Sequence, residues 1–314
     1  MRILITGGSG FIGAHLVRQV HARWPDAALC NLDALTYAAD PLANGDLVDA
    51  GELRFVHGDI CDPQAVGQAF EGGVDLLFHL AAESHVDNSL ADGQPFLRTN
   101  VLGTQVLLEA AREHGVGHFV QVSTDEVYGD LRPEQPPLTE GAPLRPSNPY
   151  SASKASADLL AGAHARSFGL PLSITRCTNN FGPGQHAEKL IPTLVRHALR
   201  DRPLPLYGDG LQVRDWISVA DHCRALIHVA ELPPGGTWHV SARAERSNRD
   251  IAQAVLRHLG KPVDRIASVT DRPGHDVRYA LDPGALEATG WRAQGAFDTE
   301  LAHTIDALAH VIPL

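Results

Sequence analysis

A glycine-rich loop lies immediately after the first apolar run of the chain. Residues 2–6 are Arg-Ile-Leu-Ile-Thr, and residues 7–13 continue as Gly-Gly-Ser-Gly-Phe-Ile-Gly. This G-x-x-G-x-x-G spacing is a variant of the fingerprint that joins a strand to a helix and lets a pyrophosphate approach the backbone. The N-terminus of the following helix would offer unpaired N–H groups to that anion. The loop favours a dinucleotide-binding α/β fold, and a tight turn without a ligand is the simpler alternative.

Short apolar runs alternate with helical patterns through the first half of the chain. Near-continuous hydrophobic strands separated by helices are typical of a parallel sheet that is covered on both faces. We therefore predict an α/β fold with a Rossmann-type, doubly wound parallel sheet. The predicted strands are residues 2–6, 28–32, 54–57, 76–80, 119–123 and 172–175.

One helix has clear boundaries in the sequence. Asn148 can cap it, and Pro149 suits the first helical position because its φ angle is already close to the helical value. The helical pattern then runs from Tyr150 to Ser167, and Gly169 ends it.

The charge and the cysteine count exclude several classes of function. With 26 basic and 37 acidic residues the net charge is −11, so we expect no nucleic-acid or membrane partner. No apolar run approaches the ~20 residues that span a bilayer, and we expect no signal peptide. The four cysteines lie far apart without a C-x-x-C motif, and the 17 histidines show no metal-ligand spacing. We therefore expect a cytoplasmic protein without a metal site.

Asp33 ends the second predicted strand, about twenty residues after the glycine loop. A carboxylate there would bind ribose hydroxyls and repel a 2′-phosphate, which favours NAD over NADP. Asp59 follows the third strand, where it is predicted to lie near the adenine.

The chain divides into two parts by composition. Its 314 residues suffice for about two domains, and proline and glycine become frequent after about residue 177. We predict a Rossmann NAD-binding domain over residues 1–176. Residues 177–314 are predicted to form mainly a smaller, loop-rich substrate domain, with some segments returning to the first domain.

Tyr150 and Lys154 form a Y-x-x-x-K pair at the start of the predicted helix. Residues four apart share one helix face, so the ammonium lies beside the phenol. A neighbouring cation favours the phenolate and lowers the tyrosine pKa, which would make Tyr150 a general base for a sugar or alcohol hydroxyl. The pair also occurs by chance in helices, and it gains weight only together with the glycine loop.

Thr124, Asp125 and Glu126 follow the fifth predicted strand. Ligands of parallel sheets bind at the carboxyl ends of the strands. Adjacent carboxylates on a strand point to opposite faces, so these two converge only if the chain is already turning. In one pocket they would split their pKa values into an acid and a base. A solvated acidic turn is the alternative.

Together these residues resemble the extended short-chain dehydrogenase/reductase superfamily, and within it the nucleotide-sugar 4,6-dehydratases that act on dTDP-glucose. The resemblance covers nearly the whole chain. Asp125 before Glu126 distinguishes this chain from related enzymes of the superfamily. GDP-mannose dehydratases and UDP-glucuronate decarboxylases usually carry Thr-Ser-Glu at these positions, and 4-epimerases lack the carboxylate pair. The strings that carry the resemblance are residues 80–87, 123–129, 176–183, 188–192, 206–216 and 271–276.

The resemblance implies a lyase reaction with a retained cofactor. The family oxidises the sugar at C4, eliminates water across C5 and C6, and returns a hydride to C6, so NAD is regenerated at each turnover. The implied catalytic residues are Thr124, Asp125, Glu126, Tyr150 and Lys154. The glycine loop and the resemblance assign to the cofactor Gly7, Gly10, Phe11, Ile12, Gly13, Asp33, Ala34, Leu35, Thr36, Asp59, Ile60, Ala81, Ala82, Glu83, Thr99, Tyr150, Lys154 and Asn180.

A second set of family positions corresponds to substrate contacts. Arg214 and Lys189 would supply positive charge to a diphosphate on an otherwise acidic protein, and Tyr207 could stack on a base. An ion pair of Arg214 with Asp209 or Asp215, and core packing of Tyr207, are the alternatives. The full set is Ser84, Thr124, Asn179, Glu188, Lys189, Leu190, Pro205, Tyr207, Arg214, Asn248, Asp271, Arg272 and His275.

Three positions depart from the family pattern and leave the substrate open. Asn88 replaces a usual arginine, residues 184–187 differ from the aromatic-rich version, and the chain ends at Leu314 without an aromatic tail. A UDP- or CDP-sugar 4,6-dehydratase, or an epimerase of the same superfamily, is the alternative. Two further alternatives are a simple alcohol dehydrogenase and a non-catalytic NAD sensor. A sensor would be expected to lose Tyr150 or Lys154, and this chain keeps both. The family also implies a homodimer formed through two helices per subunit.

Overall fold

The structure is a computed structural model that describes residues 1–271 and 274–311. The strands are β1 Arg2–Thr6, β2 Ala28–Asp33, β3 Leu53–His57, β4 Leu76–His79, β5 His118–Thr124, β6 Leu172–Cys177, β7 Asn179–Phe181, β8 Leu204–Tyr207, β9 Val213–Ser218, β10 Thr237–Val240, β11 Glu245–Ser247 and β12 Ile266–Val269. Seven of them form a parallel sheet in the order β10-β6-β5-β4-β1-β2-β3.

The six strands predicted from the sequence are confirmed, each within two residues of its predicted ends. The seventh strand, β10, escaped prediction because its sequence Thr-Trp-His-Val is short and half polar. It adds to the sheet by pairing in parallel with β6.

The helices lie between these strands and in the second half of the chain. They are α1 Phe11–Arg23, α2 Gly45–Asp49, α3 Pro63–Ala69, α4 Val86–Ala91, α5 Gln94–Phe96, α6 Thr104–His114, α7 Pro149–Phe168, α8 Leu190–Leu199, α9 Val219–Glu231, α10 Asn248–His258, α11 Gly284–Ala288 and α12 Phe297–Val311. A π-helical segment, Leu97–Gly103, joins α5 to α6. The long helix predicted from the sequence is confirmed as α7. Within the described ranges, no helix has the length and apolar character needed to cross a membrane.

Apolar side chains cover both faces of the parallel sheet. On β1, Ile3 and Ile5 belong to a core cluster with α1 and α9, whereas Leu4 belongs to a second cluster with α3, α6 and α7. Successive strand residues point to opposite faces, so each face is buried by its own helices. The predicted doubly wound α/β fold is therefore confirmed.

The second half of the chain contains more regular structure than predicted. Two small sheets, β7-β9-β11 and β8-β12, pack with α8, α10 and α12 around residues such as Leu194, Val255 and Ile305. The expectation of a loop-rich region was wrong, because most of the frequent glycine and proline residues lie in the connections between these elements. In the same half, α9 and β10 return to the seven-stranded sheet.

Candidate active site

A single long cavity follows the carboxyl edge of the parallel sheet. Residues at or just after the ends of β1 to β6 all line it. In doubly wound sheets this edge is the place where ligands bind. The geometry therefore puts the glycine loop, the two carboxylates and the Tyr150–Lys154 pair on one continuous surface.

The glycine loop turns so tightly that Gly7 and Gly13 have no room for a side chain. A Cβ atom at Gly13 would lie 2.0 Å from the carbonyl oxygen of Gly7, whereas a Cβ at Gly10 would approach that oxygen only to 3.4 Å. Gly13 thus permits the packing of α1 against the loop, and Gly10 leaves bare backbone at the cavity. Bare backbone at a helix N-terminus suits a pyrophosphate.

Asp33 joins the glycine loop to the segment after β2. Its carboxylate oxygens accept hydrogen bonds from the amides of Ser9 and Leu35, both at 2.8 Å. Each oxygen has a second lone pair, and the side chain lines the cavity. The residues present therefore fit a dinucleotide whose ribose hydroxyls would donate to Asp33.

The structure brings most of the predicted residues together in this cavity. All five predicted catalytic residues line it, as do the predicted cofactor residues other than Leu35. Of the predicted substrate residues it also contains Ser84, Asn179, Glu188 and Lys189. Among the described residues, the predicted ones that do not line it are Leu35, Leu190, Pro205, Tyr207, Arg214, Asn248, Asp271 and His275.

The two adjacent carboxylates lie on a turn. Strand β5 ends at Thr124, and residues Asp125–Tyr128 form one turn of 3₁₀-helix. The Thr124 hydroxyl accepts a hydrogen bond from the Glu126 amide at 3.3 Å and donates one to Asp125 Oδ1 at 3.2 Å. Gly129 closes the turn at φ +76°, where a Cβ would lie 2.0 Å from the Arg145 carbonyl oxygen. Because the chain turns here, the carboxyl groups of Asp125 and Glu126 both line the same cavity.

Asp125 is the buried member of the pair, with 3% of its surface exposed. Burial, reinforced by the nearby charge of Glu126, raises the pKa of Asp125 well above its ordinary value. Within the described part of the chain its Oδ2 atom has no hydrogen-bond partner. The site therefore favours a neutral carboxylic acid here, able to give a proton or a hydrogen bond to a ligand.

Tyr150 and Lys154 lie one turn apart on α7. Asn148 caps the helix by accepting a hydrogen bond from the Ser151 amide at 2.9 Å. The Lys154 ammonium donates to the carbonyl oxygen of Val122 at 2.8 Å, which ties the helix to β5.

The prediction that Lys154 lowers the pKa of Tyr150 below its ordinary value was wrong. Burial, and after it the negative charge of Glu126, raises the pKa of Tyr150 well above its ordinary value. Burial also lowers the pKa of Lys154, although the charge of Asp158 opposes this. Desolvation of Tyr150 and the nearby carboxylate of Glu126 raise its pKa by more than the ammonium of Lys154 lowers it.

Lys189 is the predicted substrate cation that reaches the cavity. Its ammonium donates to the carbonyl oxygen of Ser84 at 2.9 Å, which links the segment before α8 to the loop after β4. Glu188 lies beside it, 3.9 Å from His85 Nε2 and 3.5 Å from His186 Nδ1. This end of the cavity is a mixed cluster of charged and ring side chains.

Tyr207 lies at a separate corner near α4. Its side chain is exposed, its hydroxyl donates to Asp87 Oδ2 at 3.1 Å, and its ring meets the edge of His275 with centroids 5.9 Å apart. His275 in turn contacts Asp271 at 2.7 Å. The core-packing alternative for Tyr207 is therefore excluded. Arg272, predicted for the same group, lies outside the described residues.

Arg214 is buried and is held by backbone carbonyls. Its guanidinium donates to the oxygens of Val213 at 2.8 Å and Asp276 at 3.0 Å, and it lies 4.4 Å from the ring centroid of Tyr279. Neither of the ion pairs considered from the sequence, with Asp209 or Asp215, is formed in the described ranges. The charge of Arg214 is close enough to Asp125 to oppose the rise of its pKa.

The remaining predicted substrate residues belong to the elements around this corner. Leu190 begins α8, Pro205 lies in β8 opposite Ala267, and Asn248 begins α10. They are thus placed in the second half of the chain, beyond the cavity at the sheet edge.

Sequence reasoning missed Asn100, which fixes one wall of the cavity. Its side chain accepts from the Glu83 amide at 2.9 Å and donates to the Glu83 carbonyl at 3.0 Å. It also donates to Ser153 Oγ at 2.8 Å, so it connects the segment after β4 to α7. The available signal was an asparagine directly before the apolar pair Val101 and Leu102 in an otherwise helical stretch. Gln185 and His186 also line the cavity, in the segment flagged only as a departure from the family pattern.

Known proteins match both the sequence and this geometry. Residues 3–241 match the family described as NAD dependent epimerase/dehydratase. The chain belongs to this family. It is 45% identical over 310 residues to the dTDP-glucose 4,6-dehydratase of Mycobacterium tuberculosis, covering 98% of this chain and 92% of the relative. It is 48% identical over 288 residues to that of Streptomyces griseus, covering 91% of this chain and 87% of the relative.

A solved structure matches the fold as closely. The dTDP-glucose 4,6-dehydratase DesIV from Streptomyces venezuelae, with NAD and TDP bound, superposes with a TM-score of 0.95. It is 46% identical, and the match covers 99% of this chain and 98% of that one. The resemblance derived from the motifs is therefore confirmed.

Replacement of Gly13 by alanine tests the packing of the glycine loop. The added methyl would meet backbone, which cannot give way as a flexible side chain does, so we expect Gly13→Ala to lower the free energy of unfolding by about 1–3 kcal/mol. Gly67→Ala is the matched control, because α3 leaves open space there and alanine should raise stability by about 0.5–1 kcal/mol. Denaturant unfolding measures both, and equal stabilities would contradict the proposed loop packing.

Proposed function

We propose that this member of the family converts dTDP-glucose to dTDP-4-keto-6-deoxyglucose and water. The observation that carries the proposal is the turn at the end of β5, where a buried acid, Asp125, and a second carboxylate, Glu126, share a cavity with Tyr150 and Lys154. The named dehydratase relatives support the substrate. An epimerase needs no carboxylate pair, so the turn disfavours that alternative.

The cofactor of the proposed reaction is NAD, held along the carboxyl edge of the sheet. Gly10 and the start of α1 would face the pyrophosphate, and Asp33 would accept hydrogen bonds from a ribose. When bound, NAD supplies the acceptor for the C4 hydride, returns a hydride to C6, and adds positive charge to the site.

Oxidation at C4 is assigned to Tyr150. In this proposal its phenolate oxygen takes the proton of the C4 hydroxyl while the Thr124 hydroxyl hydrogen-bonds the same oxygen. Burial makes the phenolate a strong base, and the ammonium of Lys154 favours its formation. Burial and the charge of Glu126 raise the pKa of Tyr150, and positive charge brought into the site would lower it, so proton removal is coupled to a loaded site.

Elimination across C5 and C6 is assigned to the turn. The new ketone at C4 acidifies the C5 proton, and Glu126 removes it. Asp125 gives its proton to the C6 hydroxyl as the C–O bond breaks, so water leaves. After the hydride reaches C6, a proton returns to C5, and no net oxidation remains. The raised pKa of Asp125 suits a general acid at neutral pH.

The division of labour between the two halves of the chain is part of the proposal. Residues 1–176 would bind NAD, and residues 177–314 would mainly bind the nucleotide sugar, with α9 and β10 completing the first domain. Lys189 and Arg214 would balance the diphosphate, and Tyr207 is exposed enough to stack on the base.

A homodimer through the α6 and α7 region is also proposed. Three leucines on or next to these helices are unusually exposed: Leu97 at 59%, Leu102 at 52% and Leu159 at 63%. Apolar side chains grouped on neighbouring helices favour an interface with a second copy.

Incubation with dTDP-glucose, without added NAD⁺, tests the proposed reaction. We expect loss of one water by mass spectrometry, alkali-induced absorbance of a 4-keto-6-deoxy sugar, and no net NADH. Tyr150→Phe serves as the inactive control. No product even with added NAD⁺ would contradict dTDP-glucose as the substrate, and product from a UDP- or CDP-sugar instead would identify the alternative.

Variants of the turn separate its two roles. Glu126→Gln and Asp125→Asn should both oxidise C4, seen as absorbance of bound NADH, yet slow product formation by about 10²–10⁴-fold. With fluorine in place of the C6 hydroxyl, the leaving group needs no proton. With this fluorinated sugar, product formation by Asp125→Asn should recover, whereas product formation by Glu126→Gln should stay slow.

Glu113→Gln is the matched control for these variants, because Glu113 is exposed on α6. It should behave as wild type on both substrates. Normal dehydration of dTDP-glucose by Glu126→Gln would overturn the base assignment, and failure of the fluorinated sugar to rescue Asp125→Asn would overturn the acid assignment.

The proposed dimer is tested by sedimentation. The wild type should sediment as a dimer, and Leu159→Glu should sediment as a monomer because a charge is costly in an apolar interface. Val263→Glu replaces another exposed apolar residue, 50% exposed and outside this region, and should stay dimeric. A monomeric wild type would refute the dimer.

A further inference from the structure

A buried ion pair lies directly behind the Tyr150–Lys154 pair. Asp158 follows Lys154 by one turn of α7, so positions 150, 154 and 158 share a helix face. Asp158 Oδ2 accepts a hydrogen bond from Arg176 Nε of β6 at 2.9 Å, and both side chains are almost fully buried. Buried charges at this depth need close partners, because an unpaired one is strongly destabilising.

Arg176 also holds the far end of the turn that carries the two carboxylates. Its Nη1 donates to the hydroxyl oxygen of Tyr128 at 2.5 Å, and its guanidinium lies 4.8 Å from the Tyr128 ring centroid. Tyr128 is the last residue of the 3₁₀-turn that begins at Asp125. One guanidinium therefore joins the helix of Tyr150 to the turn of Asp125.

His239 completes the arrangement from β10. Its Nδ1 lies 3.2 Å from the carbonyl oxygen of Asp282, which can only accept, so Nδ1 carries the proton. Nε2 is then the acceptor for the Tyr128 hydroxyl at 2.6 Å. Burial lowers the pKa of His239, in agreement with a neutral ring. The Tyr128 hydroxyl thus accepts from Arg176 and donates to His239, with the Glu140 carbonyl oxygen a more distant acceptor at 3.4 Å, and these partners fix its position.

We propose that Asp158, Arg176, Tyr128 and His239 form a buried brace that positions the Asp125–Glu126 turn relative to Tyr150 and Lys154. The brace rests on the function proposed above, and its members are positioning residues, since the turn and the helix residues stand between them and the substrate. C4 and C5 are adjacent atoms of one sugar ring. The groups that act on them must therefore be held at a fixed separation, and a small displacement is costly in rate.

The two ends of the brace act on different steps. At the helix end, Asp158 faces Lys154, and its negative charge helps keep that ammonium protonated. At the turn end, the Tyr128 hydroxyl links the turn of the two carboxylates to Arg176 and His239, while Lys154 keeps its own bond to Val122. Loss of the Tyr128 hydroxyl alone should release the turn and leave the helix in place.

Tyr128→Phe tests the brace with little risk to folding, because it keeps the ring, its packing and the Asp158–Arg176 pair. We expect product formation from dTDP-glucose to fall about tenfold or more, with KM changed less than twofold. C4 oxidation should continue, so bound NADH should accumulate during turnover of this variant, and we expect no such accumulation in the wild type. A stopped-flow absorbance trace and product analysis give the two rates.

Thr304→Val is the matched control, because it also removes one buried hydroxyl, from α12, which packs in a different core cluster from Tyr128. It should lower thermal stability without accumulation of bound NADH. If Tyr128→Phe makes product at the wild-type rate, or slows oxidation and elimination equally, the brace is overturned. A wild type that fails to dehydrate dTDP-glucose would instead contradict the proposed function, so the two failures are distinct.

Discussion

The burial of the Asp125 carboxyl group at the end of a central strand is the constraint that shapes the site. A charged carboxylate is costly in such surroundings, so the group is stable there mainly as a neutral acid. To bring it there, β5 must stop at Thr124, the chain must turn, and Gly129 must pass close to the Arg145 backbone. The parallel sheet supplies the edge at which this turn meets the ligand cavity.

The same burial acts on the neighbouring groups. It raises the pKa of Tyr150 and lowers that of Lys154, so both are pushed towards their neutral forms. Both shifts disfavour the charged forms of Tyr150 and Lys154. The protonation of these two groups therefore depends on the charge of the ligand that binds in the cavity. The site is in this sense tuned for a ligand that brings its own charge, as a diphosphate with a cationic cofactor does.

The sequence predicted those features that depend on local patterns. Strands β1 to β6, the cap at Asn148 and the turn after β5 follow from periodicity, capping residues and the place of polar residues at strand ends. The bonds of Arg214 to Asp276 and of Arg176 to Asp158 and Tyr128 did not follow, because these partners lie far away in the chain. The pKa of Tyr150 was misjudged for the same reason, since burial and the orientation of Glu126 are properties of the folded molecule.

The return of α9 and β10 to the first sheet has a consequence for how the chain is made. During synthesis, β6 leaves the ribosome about sixty residues before its neighbour β10, so one edge of the sheet stays unpaired while β7 and β9 of a second sheet are already made. An unpaired apolar edge is prone to join other chains. The N-terminal part therefore cannot finish folding as an independent nascent domain, and its last steps wait for the C-terminal half.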